Sequence, residues 1–292
     1  MHGRVIIIGT GLLLGVAVIF LTGAAQTQNG SEIKTLIWTD AHITVTVGPD
    51  QDFETLEEAL DWSSKRVFIN GGGLTISLAP GEHILENYEY RNMNARSVFI
   101  VGPVLKGKMP LVEEMTGQKA EDIELVRTKF GAWIEIRGNK LHGLALPYGL
   151  GGIKNVATIN PDTFGDGPTR YTISCGLQSS WETSEVGASI HLGKVAVVGG
   201  VWGINAVGCR VVNTSDLFFA YHFNAQPTGA LAYADSGAEI ILGVAASNPR
   251  THSSTRMVAD NGGRIYAQGS TGVTYEPTNS GQMNGEGSLL VQ

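Results

Sequence analysis

The sequence predicts an all-β chain built as a solenoid, in which short strands stack coil upon coil. Three observations support this prediction. Glycine supplies 39 of the 292 residues, nearly twice its ordinary share of about 7%, without the three-residue period of collagen. From about residue 95 onward, short runs of apolar and β-branched residues alternate with Gly, Asn and Asp, which is typical of strands joined by turns. One strand motif also recurs at a spacing that fits one coil of a solenoid.

The recurring motif is a glycine, a mostly small residue, any residue, and then an apolar residue that favours strands. It begins at five glycines: Gly131, Gly187, Gly208, Gly237 and Gly262. The last four starts are roughly 20 to 30 residues apart, and Gly131 lies about two such steps earlier, as expected for successive coils. A β-sandwich also contains short strands and glycine turns, but the repeated spacing favours the solenoid.

Before the repeats, the sequence predicts a cap followed by the first strands. Ile43–Val47 alternates apolar and polar residues, as a strand does. Phe53–Trp62 has its apolar residues at helical spacing, which predicts a short amphipathic helix. Val67–Ile69 and Leu74–Leu78 follow as strands, and Pro110–Arg127 is a later stretch with partial helical spacing.

The later predicted strands are Val98–Val101, Trp133–Ile136, Ile190–Leu192, Val195–Val198, Ile240–Leu242 and Arg264–Ala267. In the third of these, His191 alternates with two apolar neighbours, so we expect its side chain to point away from the core. These elements divide the chain into three parts. Residues 1–30 form an apolar segment with a linker, residues 31–125 a cap with the first coils, and residues 126–292 the body of the solenoid.

The N-terminal segment is apolar and uncharged from Val5 to Ala25. As a helix it is long enough to span the core of a bilayer, and its small residues Gly23–Ala25 also fit the cleavage site of a secretory signal. A removed signal, a retained membrane anchor and an apolar plug buried in a larger assembly all remain open. The side chains that would contact a membrane or an assembly are Val5, Ile6, Ile7, Ile8, Leu12, Leu13, Leu14, Val18, Ile19, Phe20 and Leu21.

Composition excludes several classes of protein. The chain has 20 basic and 27 acidic residues, a formal charge of −7, which is not the electrostatic footprint of a nucleic-acid-binding protein. The hydrophobic fraction of 42% excludes general disorder. Two cysteines, Cys175 and Cys209, are too few for a structural zinc site, and we expect them to be buried free thiols rather than a disulfide. The sequence indicates no metal and no cofactor.

Two blocks of the sequence resemble a known family. Asp52–Leu60 followed by Leu74–His83 is similar to the start of right-handed parallel β-helices of the pectate-lyase type, in which such a helix caps the open end. The repeats, together with Val201–Ala206 and Gly269–Pro277, resemble the β-helices of bacteriophage tail fibres and tailspikes. The resemblance implies a right-handed, single-stranded parallel β-helix with a short N-terminal capping helix, assembled as a homotrimer.

The resemblance also implies a function. The leading hypothesis is a virion appendage, a tail fibre or spike-like structural protein located on the virion, which contacts a glycan or another receptor on the host cell without doing chemistry itself. Its partners would be two further copies of the chain, other virion proteins and the host surface. The alternatives are an exported or spike-borne enzyme that cleaves polysaccharide, and a secreted or membrane-anchored surface adhesin that contacts the membrane through residues 5–25.

Aromatic residues are the candidate binding residues. Phe219, Tyr221 and Phe223 would share one side of a strand, and Trp202 lies about one coil earlier. Aromatic faces stack on sugar rings, although filling of the core or of an interface between chains would also explain these residues.

If the protein is an enzyme, a pair of carboxylates is required for glycoside hydrolysis. Asp216 and Asp235 are the weak catalytic candidates, because their spacing allows neighbouring coils. The alternative is that both residues form turns or stabilise the strand ladder.

Overall fold

A computed structural model describes residues 36–86, 88–92, 94–105, 114, 116, 118–138, 142–160, 171–176, 188–200, 202–220, 230–247, 256–267, 274–277, 282–285 and 288–290. The predicted apolar segment, from Val5 to Ala25, lies outside the described residues. Within the described ranges the protein is predominantly β, with parallel sheets and two α-helices. Neither of these helices is long and apolar enough to cross a membrane.

The helices are α1 (Leu56–Ser64), α2 (Lys119–Phe130) and a short 3₁₀ helix (Ala95–Ser97). The strands of the first half are β1 (Ile37–Thr39), β2 (His42–Val47), β3 (Arg66–Phe68), β4 (Gly73–Leu78), β5 (Gly81–Glu86), β6 (Tyr88–Glu89), β7 (Val98–Val101), β8 (Ala132–Arg137) and β9 (His142–Leu146). Those of the second half are β10 (Gly152–Asn160), β11 (Tyr171–Cys175), β12 (Ser189–Gly199), β13 (Trp202–Val207), β14 (Arg210–Ala220), β15 (Ala230–Asp235), β16 (Glu239–Ser247), β17 (Arg256–Ala259), β18 (Arg264–Ala267), β19 (Thr274–Pro277), β20 (Gln282–Gly285) and β21 (Ser288–Leu290).

These strands form two large parallel sheets. The first sheet has the order β2-β4-β7-β10-β12-β14-β16-β18-β20, with β21 antiparallel at its end, and β8 joins β5 to β10 beside this path. The second sheet has the order β6-β9-β11-β13-β15-β17-β19, and β1 pairs with β3 separately. From β9 to β20 the chain alternates between the two large sheets, so each strand pairs with the strand two further along the chain.

The sequence motif falls in register for four of its five copies. Ile190 pairs with Val211, Val211 with Ile240, and Ile240 with Ile265, and all four side chains are fully buried. These residues stack into the main core between the sheets, as the spacing predicted.

The copy at Gly131 does not belong to this column, so its assignment to the same repeat was wrong. It begins β8, whose Ile134 pairs with Thr158 in the second half of β10. Long strands of the first sheet bend at Asn155 and Lys194, which have φ values of 55° and 52°, and therefore have two halves. The motif of a glycine, a small residue and then an apolar residue can precede either half of such a strand, so the motif alone does not show which half follows.

The bend at Lys194 lies between two strands that the sequence predicted as separate elements. Ile190–Leu192 and Val195–Val198 are the two halves of the single strand β12, with a register shift between Leu192 and Val195 where it pairs with β14. His191 is exposed between buried neighbours, as the alternation predicted.

Helix α1 begins three residues later than predicted, because Thr55 caps it. The Thr55 hydroxyl accepts the Glu58 amide at 3.2 Å and the Glu58 carboxylate accepts the Thr55 amide at 3.1 Å, a capping box. Phe53 lies outside the helix, forms a bridge with Val47 and stacks edge-on against Trp62 at 5.6 Å. The segment Asp52–Leu60, which resembles a capping helix in sequence, therefore supplies the residues that cap α1 and pack against it.

Helix α2 overlaps the stretch predicted at Pro110–Arg127 but ends at Phe130, followed by Gly131 in a left-handed conformation. It covers the part of the outer face of the first sheet that the second halves of β10 and β12 form. Its Ile123, Val126 and Phe130 pack against a second apolar cluster made of Ala157, Ile159, Ala196 and Val198.

The two cysteines form a disulfide, so the expectation of free thiols was wrong. Cys175 ends β11 and Cys209 precedes β14, with their Cα atoms 5.9 Å apart. The turn after β13 brings Cys209 close to the preceding strand of the second sheet, because Cys175 and Ala206 are paired.

Candidate binding site on the second sheet

Three aromatic side chains contact one another across consecutive strands of the second sheet. Tyr171 lies on β11, Trp202 on β13 and Tyr233 on β15. The ring of Trp202 is 5.7 Å from that of Tyr171 and 4.3 Å from that of Tyr233, centroid to centroid, and both contacts are edge-to-face. Tyr171 and Trp202 are direct partners in the parallel ladder. Tyr171 is buried, whereas Trp202 and Tyr233 are half-buried and so reach the surface.

Polar groups adjoin this aromatic cluster at the ends of β15 and β17. The Tyr233 hydroxyl donates to Asp260 Oδ2 at 3.2 Å. Asp260 Oδ1 accepts a hydrogen bond from the backbone amide of Asn261 at 2.8 Å. The side-chain Nδ2 of Asn261 donates to Asp235 Oδ1 at 2.9 Å. Asp235 Oδ1 also accepts the Ser236 amide at 2.6 Å.

These contacts build the same turn twice, one coil apart. Asp235-Ser236-Gly237 and Asp260-Asn261-Gly262 each contain two residues with positive φ, and each aspartate accepts the following amide. An aspartate side chain that accepts a nearby backbone amide stabilises such a turn. The local sequence therefore places two carboxylates beside the half-buried Tyr233.

The electrostatics of the site keep the tyrosine protonated. Burial raises the pKa of Tyr233, and the negative charges of Asp235 and Asp260 raise it further. The hydroxyl is thus a hydrogen-bond donor to Asp260 at neutral pH. The half-buried rings of Trp202 and Tyr233 next to the Asp260 carboxylate form a surface that can stack on a sugar and accept hydrogen bonds from its hydroxyl groups.

Of the four predicted binding residues, Trp202 lies in this cluster. The backbone of Phe219 lies in β14 of the first sheet, paired with Val197 and Ser247, so Phe219 and Trp202 belong to different sheets. Tyr221 and Phe223 lie outside the described residues. The prediction for these three residues remains a prediction.

Tyr171 and Tyr233 were missed by the sequence analysis. Each is isolated from other aromatic residues along the chain. Tyr171 reaches Trp202 as its direct ladder partner, whereas Tyr233 is paired with Asn205 on the neighbouring strand and contacts the Trp202 ring through its side chain. A signal was present in the numbering, because positions 171, 202 and 233 are equally spaced by about one coil.

The predicted catalytic residues are not neighbours in one sheet. The backbone of Asp216 pairs with Val244 in the first sheet, whereas Asp235 ends β15 in the second sheet and is 8% exposed. The Asp235 carboxylate stabilises a turn, the alternative that the sequence left open, and its catalytic role remains a prediction. Within the described part of the chain, no three or more His, Cys, Asp or Glu side chains group as metal ligands.

Comparison with known proteins adds no relative. No protein-family model, no curated protein and no solved structure matches the chain. The fold and the contacts of the aromatic cluster are therefore the observations from which a function can be inferred.

Proposed function

We propose that the chain is a right-handed, single-stranded parallel β-helix that forms a virion appendage, a tail fibre or spike that contacts the host cell surface. The alternation of strands between two parallel sheets supports the helical winding, and crossovers between parallel strands are right-handed in nearly all proteins. The bends at Asn155 and Lys194 support a third face, because they divide the long strands of the first sheet.

The contact with the host is made, on this proposal, by the aromatic cluster of Tyr171, Trp202 and Tyr233. The observation that carries the proposal is the pair of half-buried rings, Trp202 and Tyr233, in contact at 4.3 Å beside the Asp260 carboxylate. Rings offer a flat apolar surface to a sugar, and carboxylates accept hydrogen bonds from hydroxyl groups. The ligand class is therefore a surface glycan, bound without chemistry.

The assembly is proposed to be a homotrimer attached to other virion proteins. The outer face of the first sheet carries a column of apolar side chains at paired positions, Val212, Ile241 and Tyr266, all half-buried. Phe99 continues this face and is 39% exposed. Exposed apolar surface of this kind is typical of a contact with another chain.

A secreted or membrane-anchored adhesin is the second candidate, and the disulfide is compatible with it as well as with a virion appendage. Cys175–Cys209 would persist outside the cell or on a virion but is unusual in the cytosol. The glycan-binding role of Trp202 is the same in both candidates, so the particle or cell that carries the protein is a separate question.

The test is glycan binding by the full chain and by Trp202→Ala. We expect the wild-type protein to bind defined polysaccharides on a glycan array, and the variant to lose about five- to thirtyfold in affinity, which corresponds to a stacking contribution on the order of 1–2 kcal/mol. The control is Trp38→Ala, because Trp38 is exposed on β1, outside the large sheets. Equal binding by Trp202→Ala, at unchanged melting temperature and native mass, would contradict the proposal.

A further inference from the structure

A second cluster of charged side chains lies on the first sheet, where β5 pairs with β8. Glu82 is on β5, Glu135 and Arg137 are on β8, and Arg127 reaches them from α2. Arg137 Nη2 lies 2.7 Å from Glu135 Oε1 and 3.3 Å from Glu82 Oε2. Because one nitrogen contacts both carboxyl groups, the two carboxyl groups lie next to each other.

Glu135 is the buried member, with 6% of its surface exposed. Its Oε2 accepts Arg127 Nη2 at 3.0 Å, and its Oε1 accepts Arg137 Nε at 2.8 Å. Both oxygens of Glu135 accept hydrogen bonds from arginines, and Glu82 Oε2 contacts Arg137. The arrangement joins three elements of the fold.

The two carboxyl groups differ in their affinity for a proton. A hydrogen bond to Glu135 raises the pKa of Glu82, and burial and the charge of Glu135 add to the effect. Burial opposes the ionised form of Glu135, but hydrogen bonds from Glu82 and Arg137 and the charges of both arginines outweigh it and lower the pKa of Glu135. Of the two carboxyl groups, Glu82 therefore keeps a proton at pH values somewhat above the ordinary pKa of glutamate, while Glu135 is ionised.

The proton on Glu82 affects the pairing of β5 with β8, because Glu82 lies on β5 and Glu135 on β8. β5 has β8 as its strand partner, with Glu82 opposite Trp133 and Ile84 opposite Glu135, and it lies at the side of the sheet rather than on the main path. When Glu82 is protonated, it can donate to Glu135 across the two strands. When Glu82 is ionised, two carboxylates meet there, and Arg137 is the cation that both contact.

We propose that the Glu82–Glu135 pair is a proton-operated clasp that fastens β5 to β8 more tightly at mildly acidic pH than at neutral pH. The sign follows from the two carboxyl groups. Glu82 stabilises the strand pair when protonated, so its contribution is present below the ordinary glutamate pKa of 4.5 and is lost as the pH rises through its higher folded-state pKa. Glu135 stabilises the pair when ionised, so its contribution is lost at lower pH.

Charged groups adjoin the clasp from three elements. On α1, Glu57 accepts the backbone amide of Glu86, at the end of β5, at 2.8 Å. Arg137 lies on β8, and α2 contributes Arg127 together with Glu124, which is 3.8 Å from Arg127. The facing residues of β10 are the uncharged Ala157 and Ile159, paired with Trp133 and Glu135.

On β5 itself, His83 is buried. It also titrates, so the wild-type pH profile is compared with that of a variant rather than interpreted alone.

The test is hydrogen exchange of the β5 and β8 amides in the full chain, measured in the wild type and in Glu82→Gln and corrected for intrinsic exchange at each pH. Glutamine keeps the donor of a protonated glutamate but does not ionise. We expect equal protection at about pH 4.5, and slower exchange in Glu82→Gln at pH 7.5, by about tenfold for each unit by which the pKa of Glu82 is raised.

Glu86→Gln is the matched control, because Glu86 is exposed at the end of the same strand, and it should follow the wild type at every pH. The proposal would be overturned if the ratio of the corrected β5 and β8 exchange rates, Glu82→Gln to wild type, were the same at pH 4.5 and at pH 7.5. Slower exchange spread over all strands, rather than over β5 and β8, would also overturn it, because the clasp acts on that strand pair.

Discussion

At the scale of single residues, His83 shows how a sequence motif acquires a structural role. It follows Pro80-Gly81, and its Nε2 donates to the Ala79 carbonyl at 2.8 Å, so the ring closes the turn that leads into β5. The side chain is 5% exposed, and burial lowers its pKa despite the hydrogen bond to Ala79. His83 is therefore a buried neutral histidine whose protonation opposes folding.

This burial predicts a pH-dependent stability with a defined sign. Because the folded-state pKa of His83 is below the unfolded value of about 6.5, the unfolded chain binds more protons in the range below 6.5, and stability falls as the pH falls through it. We expect His83→Gln, which keeps a donor but does not titrate there, to show a smaller loss of unfolding free energy between pH 7.5 and 5.5 in urea titrations. The difference over this pH range is at most about 1.4 kcal/mol, because pH 5.5 is one unit below the unfolded pKa.

The control for this prediction is His191→Gln, because His191 is exposed on β12. It should retain the wild-type slope of stability against pH. Parallel curves for the wild type and His83→Gln would show that the buried ring does not set the slope.

Prediction of single residues succeeded where local alternation decides the outcome. His191 was predicted to point outward because Ile190 and Leu192 flank it, and it does. Of the aromatic cluster only Trp202 was predicted, since Tyr171 and Tyr233 reach it through the pairing of neighbouring strands in the second sheet. Register depends on loop lengths and on pairing between distant segments, which local patterns do not contain.

At the scale of elements, strand positions followed from composition and periodicity, and boundaries depended on individual residues. β18 has the predicted bounds, Arg264–Ala267, because turn residues flank a short apolar run. The helix predicted from Phe53 begins at Leu56 because Thr55 caps it. The two strands predicted on either side of Lys194 are one strand. Lys194 adopts a positive φ there without ending the ladder, and the side-chain pattern does not reveal this.

The disulfide is the covalent connection between elements, and its removal should be measurable. Cys175 and Cys209 are separated by 34 residues, and closing a loop of that length stabilises a fold by about 4 kcal/mol in the chain-entropy model. We expect the double variant Cys175→Ala, Cys209→Ala to unfold at a lower urea concentration, with a free energy of unfolding reduced by about 2–4 kcal/mol. Chemical reduction of the wild type should give a similar decrease, and thiol titration of the unreduced protein should find no free thiol. Two free thiols would restore the sequence-based expectation.

At the scale of the whole molecule, repetition is the organising feature. The main path of the first sheet contains the parallel strands from β2 to β20, and at about 4.8 Å per strand it extends about 40 Å. The aromatic cluster lies on the second sheet and the Glu82–Glu135 clasp on the first sheet, at strands β5 and β8. A repeated fold thus separates the proposed binding surface from the pH-sensitive strand pair.

The aromatic cluster of Tyr171, Trp202 and Tyr233 is the proposed site at which a glycan binds. The most direct measurement is hydrogen-exchange footprinting of the full chain with and without a polysaccharide that it binds on the array. We predict increased protection in β13 (Trp202–Val207) and β15 (Ala230–Asp235), with no change in β8 (Ala132–Arg137). Protection confined to strands of the first sheet, with β13 and β15 unchanged, would contradict the assignment of the aromatic cluster as the binding site.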